Sequence, residues 1–123
     1  EGIRIMHGYY YLHSVTKDLV FKRFEPGGDS GFVPDFVQRV WPIDTTDRID
    51  AWTVILEGLA LGAKIERVKE LVDKWSLTFD DSVQMLKRIT KPSKLMQDGI
   101  ILYATKILGM GKEPYWDKVR SAW

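Results

Sequence analysis

From Ile49 to Ala63 the chain carries Ile49, Ala51, Trp52, Val54, Ile55, Leu56, Leu59, Ala60, Leu61 and Ala63. At helical spacing these residues leave almost no polar side. A helix that is apolar all round is buried on all sides. This one segment therefore dictates a layered fold in which other elements wrap a central helix. Glu57 is the only acid after Asp50 on it. An acid in such a place must reach water, pair with a base or change its protonation. Arg39, Arg48 and Lys64 are the bases that offer themselves.

The flanks supply the wrapping. Tyr9 to His13 and Leu19 to Phe24 are rich in aromatic and β-branched residues, with Ser14 to Asp18 between them. That spacing predicts a β-hairpin, which needs a packing partner to be stable. Residues 26 to 35 hold three glycines and two prolines and read as loop. Phe32, Phe36, Val37, Val40 and Trp41 serve as anchors for it, and Pro42 ends the segment. Thr45 or Thr46 caps the central helix, with Asp47 near its positive end.

After Gly62, the residues Ile65, Val68, Leu71, Val72 and Trp75 make one clean helical face, with Glu70 and Lys74 as a pair on the wet side. Thr78 and Asp81 resemble a capping box for the next helix, which turns Phe79, Val83, Leu86 and Ile89 inward. Pro92 closes that helix and Ser93 caps another, whose stripe runs Leu95, Met96, Ile100, Ile101, Ala104, Ile107 and Leu108 to Gly109. Glu113 and Pro114 open a last short helix bearing Trp116, Val119 and Trp123. The expected fold is mainly α: a single domain spanning residues 1–123, with four to five helices and an N-terminal β-hairpin packed on them. Its parts are a hairpin over 9–25, a loop over 26–45 and a helical core over 46–123. Residues 1–8 lack an initiating Met, are expected to be processed or disordered, and are given no function.

Composition excludes several function classes. The chain has 123 residues, 45% hydrophobic and 28% charged, as a globular domain does. There is no Cys, so thiol chemistry, disulfides and Cys-based metal sites are out. Only His7 and His13 carry imidazoles, and no metal-ligand spacing surrounds them. No metal or cofactor is expected. No uncharged stretch approaches the roughly 20 residues of a membrane helix. No secretory leader opens the chain either, so a cytoplasmic protein away from membranes is expected. Net charge is +1. Acids crowd residues 25 to 50, six against two bases, and bases crowd residues 64 to 94, eight against five acids.

Candidate chemistry is thin. Gly28-Asp29-Ser30-Gly31 looks like a serine-hydrolase string, yet reads better as a glycine turn. Gly109-Met110-Gly111-Lys112 lacks the spacing and the following Ser or Thr of a phosphate loop. The surplus of aromatics at both ends points instead to a protein-interaction surface through Tyr9, Tyr11, Trp116 and Trp123.

The run Arg48-Ile49 through Ile55-Leu56-Glu57 and Leu59-Ala60-Leu61-Gly62, then Glu66-Arg67-Val68, then Leu77-Thr78-Phe79-Asp80-Asp81, resembles the helix-turn-helix domains of an antitoxin-like family of bacterial toxin–antitoxin operons. The resemblance spans residues 47 to 89. It implies a recognition helix from Thr78 to Ile89, with Lys87 and Arg88 approaching DNA and Lys91 and Lys94 on phosphate. Asp80 and Asp81 depart from it, because acids stand where base-reading residues usually sit.

Three readings follow. The leading one is a small non-enzymatic module, bacterial or mobile-element in type, that binds a protein partner or itself as a homodimer. The alternative is a helix-turn-helix DNA-binding regulator using Lys87, Arg88, Lys91 and Lys94. A second alternative is a small-ligand binder with Glu57, Arg39, His13 and Asp29 around a pocket.

Overall fold

The computed structural model of the chain describes residues 8–23, 35–43, 48–88 and 92–109. Strands β1 (Gly8–His13), β2 (Leu19–Arg23) and β3 (Val37–Ile43) form an antiparallel sheet in the order β2-β1-β3. Helices α1 (Arg48–Ala60), α2 (Ile65–Lys74), α3 (Phe79–Arg88) and α4 (Lys94–Leu102) follow, and a π-helical turn, Tyr103–Ile107, extends α4.

The expectation of a mainly α domain with a two-stranded hairpin is corrected. The structure is a mixed α/β fold, because residues read as loop contribute a third strand. Pro42 does not end this segment but lies inside β3. The register explains how. Tyr9 and Tyr11 turn their main-chain groups to β2, while Tyr10 and Leu12 turn theirs to Trp41 and Arg39 of β3. Pro42, opposite Tyr9, therefore has its ring nitrogen on the open side of an edge strand, where no N–H is needed.

The sheet's inner face carries Tyr10, Leu12, Leu19, Trp41 and Ile43, all buried. They pack with Trp52, Val54, Ile55 and Leu56 of α1, each fully buried, as the central-helix reading demands. Gly62, at φ 96, closes α1: Ala63 N–H donates to Gly58 C=O at 2.9 Å across the helix end. Val68 and Leu71 bring α2 onto the same core. Ser76, at φ 51, takes the glycine role after α2, with Leu77 N–H on Val72 C=O at 3.0 Å.

The Thr78–Asp81 capping box forms as read: Thr78 N–H donates to Asp81 Oδ2 at 3.0 Å and Asp81 N–H to Thr78 Oγ1 at 3.2 Å. Phe79 packs partly into the core, and Ser82 and Met85 of α3 are buried as well. Ser93 caps α4 by accepting from Met96 N–H at 3.1 Å. Met96, Ile100, Tyr103 and Ala104 are buried, whereas Leu108 is exposed, because the π-turn rotates the end of the stripe outward. Glu70 pairs with Arg67 at 2.7 Å rather than with Lys74. Asp29, Thr45, Thr46, Lys91, Pro114, Trp116 and Trp123 lie outside the described residues. So do the side chains of Val83, Leu86 and Lys87.

Candidate functional site

Glu57 is buried, and both of its carboxylate oxygens are engaged. Oε1 accepts from Trp41 Nε1 at 2.9 Å and faces Arg39 Nη2 at 3.1 Å. Oε2 accepts from Ser93 Oγ at 2.7 Å. Among the candidate bases, then, Arg39 is the partner, and its guanidinium also lies 5.9 Å from the Trp41 ring centre. One carboxylate so joins β3, α1 and the cap of α4. Its bonds are structural ones, and they leave no oxygen aimed into a cavity.

His13 does not join this group. Its Nδ1 accepts from the N–H of Val15 at 3.2 Å and of Thr16 at 3.1 Å, which caps the β1–β2 turn. Glu57, Arg39 and His13 therefore do not converge on a pocket. Among the described residues, no cluster of three His, Asp or Glu side chains is placed to hold a metal ion. No described helix is long and apolar enough to cross a membrane.

A second polar cluster ties the hairpin to α2. Arg67 grips Asp18 side-on, Nε to Oδ1 at 2.9 Å and Nη2 to Oδ2 at 3.3 Å. Hydrogen bonding from Arg67 holds the Asp18 carboxyl below its ordinary 3.8, against the upward push of its partial burial. Burial raises the Tyr10 phenol above its ordinary value, and nearby Arg67 offsets this in part. An open groove of about 450 Å³ runs beside this cluster, lined by Asp18, Lys64, Glu66, Arg67 and Glu70.

Of the four aromatic residues expected to form an interaction surface, Tyr9 and Tyr11 lie among the described residues. Tyr9 is only 4% exposed, a correction to its expected role in an interaction surface. It sits in the central strand, flanked by Lys22 and Pro42, with the Tyr11 ring 6.3 Å away. Tyr11 is half-buried between Val20 and Val40. A central strand has neighbours on both sides, and that is what covers them.

Exposure moves to the turn and the edge. Val15 is 70% exposed and Phe36 is 66% exposed. Ser14 N–H donates to Phe36 C=O at 2.7 Å, which ties the turn that carries Val15 to Phe36. The Phe36 ring lies 5.9 Å from the His13 ring, and its backbone stands at φ 63. A bulky residue in that region is strained. Phe36, expected as an inward anchor, is instead turned to solvent on a left-handed backbone.

Of the DNA-facing candidates, Arg88 is exposed at the end of α3, while Lys94 is engaged with Asp98 at 2.7 Å. Asp81 is held twice, by the cap and by Arg48 Nη1 at 3.1 Å. Against known proteins, the chain matches no family model, no curated protein and no solved structure.

Proposed function

We propose that this chain is a non-enzymatic interaction module that presents the turn end of its sheet to a protein partner. Phe36 carries the reading. It is a strained, two-thirds-exposed aromatic, and Val15, more exposed still, follows Ser14, whose N–H is bonded to the Phe36 carbonyl. Folding alone gains nothing from an apolar ring held in water by an unfavourable backbone, so the reward lies in what docks there. His13, locked by its two backbone bonds, gives the ring a firm base.

The test is a photo-crosslinking benzophenone residue at position 36, used in cells. A discrete heavier adduct that disappears when Val15→Glu is added supports the reading. Absence of a discrete adduct, or one indifferent to Val15→Glu, refutes it.

A second reading has its own support. Three consecutive helices α1, α2 and α3, the Ser76 turn and the reciprocal Thr78–Asp81 cap support a helix-turn-helix reading. Exposed Asp80 at the start of α3 opposes a phosphate backbone there. Fluorescence anisotropy with mixed duplex DNA at low salt decides it: a salt-sensitive rise weakened by Arg88→Glu supports DNA binding, and a flat titration removes it.

A further inference from the structure

Helix α2 carries Glu70 and Lys74 one turn apart, the spacing of a surface ion pair. The pair is not made. Glu70 Oε1 accepts from Arg67 Nη1 at 2.7 Å, and neither Glu70 Oε2 nor Lys74 Nζ has a partner among the described residues. Arg67 in turn gives Nε and Nη2 to the two oxygens of Asp18. Two acids thus share one guanidinium. Lys74 is left as an uncommitted cation beside a half-committed carboxylate, and both side chains belong to exposed residues.

These groups border a groove of about 300 Å³ between β2 and α2. Its apolar wall is Phe21, 38% exposed, backed by the buried Leu19 and Leu71. The Phe21 ring leans over Tyr10, with ring centres 5.2 Å apart. Tyr10 also lines the groove and is fixed edge-on to Trp75 at 5.4 Å. It is only 4% exposed, yet its hydroxyl makes no hydrogen bond among the described residues. Nor is that hydroxyl sealed in the core, as Trp52 Nε1 is. It feels the charge of Arg67, which lines the same groove, and this places it on the polar side.

The unsatisfied groups are therefore an ammonium, a carboxylate oxygen one turn away and a phenol O–H, beside an exposed ring. We infer that this groove binds a small zwitterion, an α-amino acid with an apolar side chain. The ligand carboxylate meets Lys74 Nζ and accepts from the Tyr10 hydroxyl, its ammonium donates to Glu70 Oε2, and its side chain covers the Phe21 ring. A simple carboxylate would be repelled by Glu70 and a simple amine by Lys74, so the pair selects a molecule that carries both charges. The volume lies at the small end of ligand sites, about 300 to 1,000 Å³, as suits an amino acid. This site is separate from the Phe36 patch and does not depend on the partner-binding reading.

Heteronuclear NMR on the full chain, titrated with L-phenylalanine, tests it. A ligand this small in an open groove binds with a Kd of about 1 mM, and the Tyr10, Phe21 and Leu71 amides shift saturably. Phenylpropanoate, which lacks the ammonium, and phenethylamine, which lacks the carboxylate, each bind at least about tenfold more weakly. Lys74→Gln and Glu70→Gln each weaken L-phenylalanine by about fivefold. Tyr10→Phe keeps the ring contacts with Phe21 and Trp75, loses only the hydroxyl, and weakens binding by about threefold. Val15→Glu leaves binding unchanged, which separates this site from the partner-binding patch. Absence of saturable shifts, phenylpropanoate or phenethylamine binding as tightly as L-phenylalanine, or a Lys74→Gln variant that binds like wild type overturns the inference.

Discussion

Glu57 and Trp52 show how differently two polar groups on one buried helix can be handled. Glu57 has every oxygen engaged, and the groups it engages have no replacement for it. Glu57→Ala leaves the Trp41 indole N–H without its acceptor and frees the α4 cap. A loss of about 2 to 3 kcal/mol is expected in urea melts followed by tryptophan fluorescence. Because Arg39 is 45% exposed and recovers water, the loss stays below that of a fully buried ion pair. Glu57→Gln keeps an acceptor for Trp41 and costs roughly half as much. Equal losses for the two variants would show that Trp41 does not depend on the oxygen. Trp52 is the opposite case: fully buried, edge-on to Tyr103 at 5.3 Å, with no hydrogen-bond partner for its indole N–H among the described residues. Trp52→Ala is expected to cost about 3 to 5 kcal/mol through the cavity alone. Trp52→Phe removes the orphaned donor along with some volume, so calorimetry is expected to find it far milder, about 1 kcal/mol. A loss from Phe equal to that from Ala would mean that the N–H is satisfied after all.

Two glycines in two helices give the element scale its sharpest contrast. Gly99 lets α4 lie directly against α1: a Cβ there would stand 1.8 Å from the Leu56 carbonyl oxygen, and backbone cannot step aside. Gly99→Ala must push the helices apart, at a cost expected to exceed about 3 kcal/mol. Gly58 in α1 would give a Cβ 3.4 Å from Leu19 Cδ1, ordinary contact, so Gly58→Ala gains helix propensity of up to about 1 kcal/mol. Thermal melts of the two variants moving in the same direction would contradict this account of the α1–α4 contact. Neither role is readable from the sequence, where Gly99 and Gly58 are alike as single glycines in apolar helices. The elements that were legible are those whose signals are local. The all-round apolar run gave α1, the face from Ile65 to Trp75 gave α2, and Thr78 with Asp81 and Ser93 gave two caps. Strand β3 is hidden because it follows three glycines and two prolines and itself contains Pro42, and its strand character comes from pairing with β1, nearly thirty residues earlier. The Glu57 site was half legible: an acid on an apolar helix demands a partner, and Arg39 was a named choice. Trp41 and Ser93 were not, since nothing local marks a bond across 16 or 36 positions. The exposure of Phe36 is not legible, because an aromatic in a loop has the same local sequence whether it is buried or held outward by its backbone.

The whole molecule is held as sheet against helices by polar ties at opposite corners. At one, Glu57 binds β3 to α1 and α4. At the other, Arg67 holds Asp18, and Lys64 N–H donates to the Lys17 carbonyl at 2.9 Å, so the hairpin turn is fastened to the start of α2. Between them runs the continuous core from Leu12 to Val68. These ties make the hairpin part of one cooperative unit rather than a loose appendage. The Asp18 corner also carries a pH dependence whose sign is fixed. Arg67 holds the Asp18 carboxyl below 3.8 in the folded chain, so between those two values the unfolded chain binds more protons. The tie is fully present above the ordinary carboxylate value and fades as pH falls through 3.8 and past the folded value. Both side chains are partly exposed, 24% for Asp18 and 39% for Arg67, which keeps its contribution to about 1 kcal/mol. Asp18→Asn is therefore expected to be less stable than wild type by about that amount in urea melts near pH 7. The gap between the two proteins narrows at a pH below 3.8, as the wild-type carboxyl moves toward the neutral state that asparagine imitates. A gap of the same size at both pH values would assign the loss to packing at the turn and leave Arg67 without its electrostatic part.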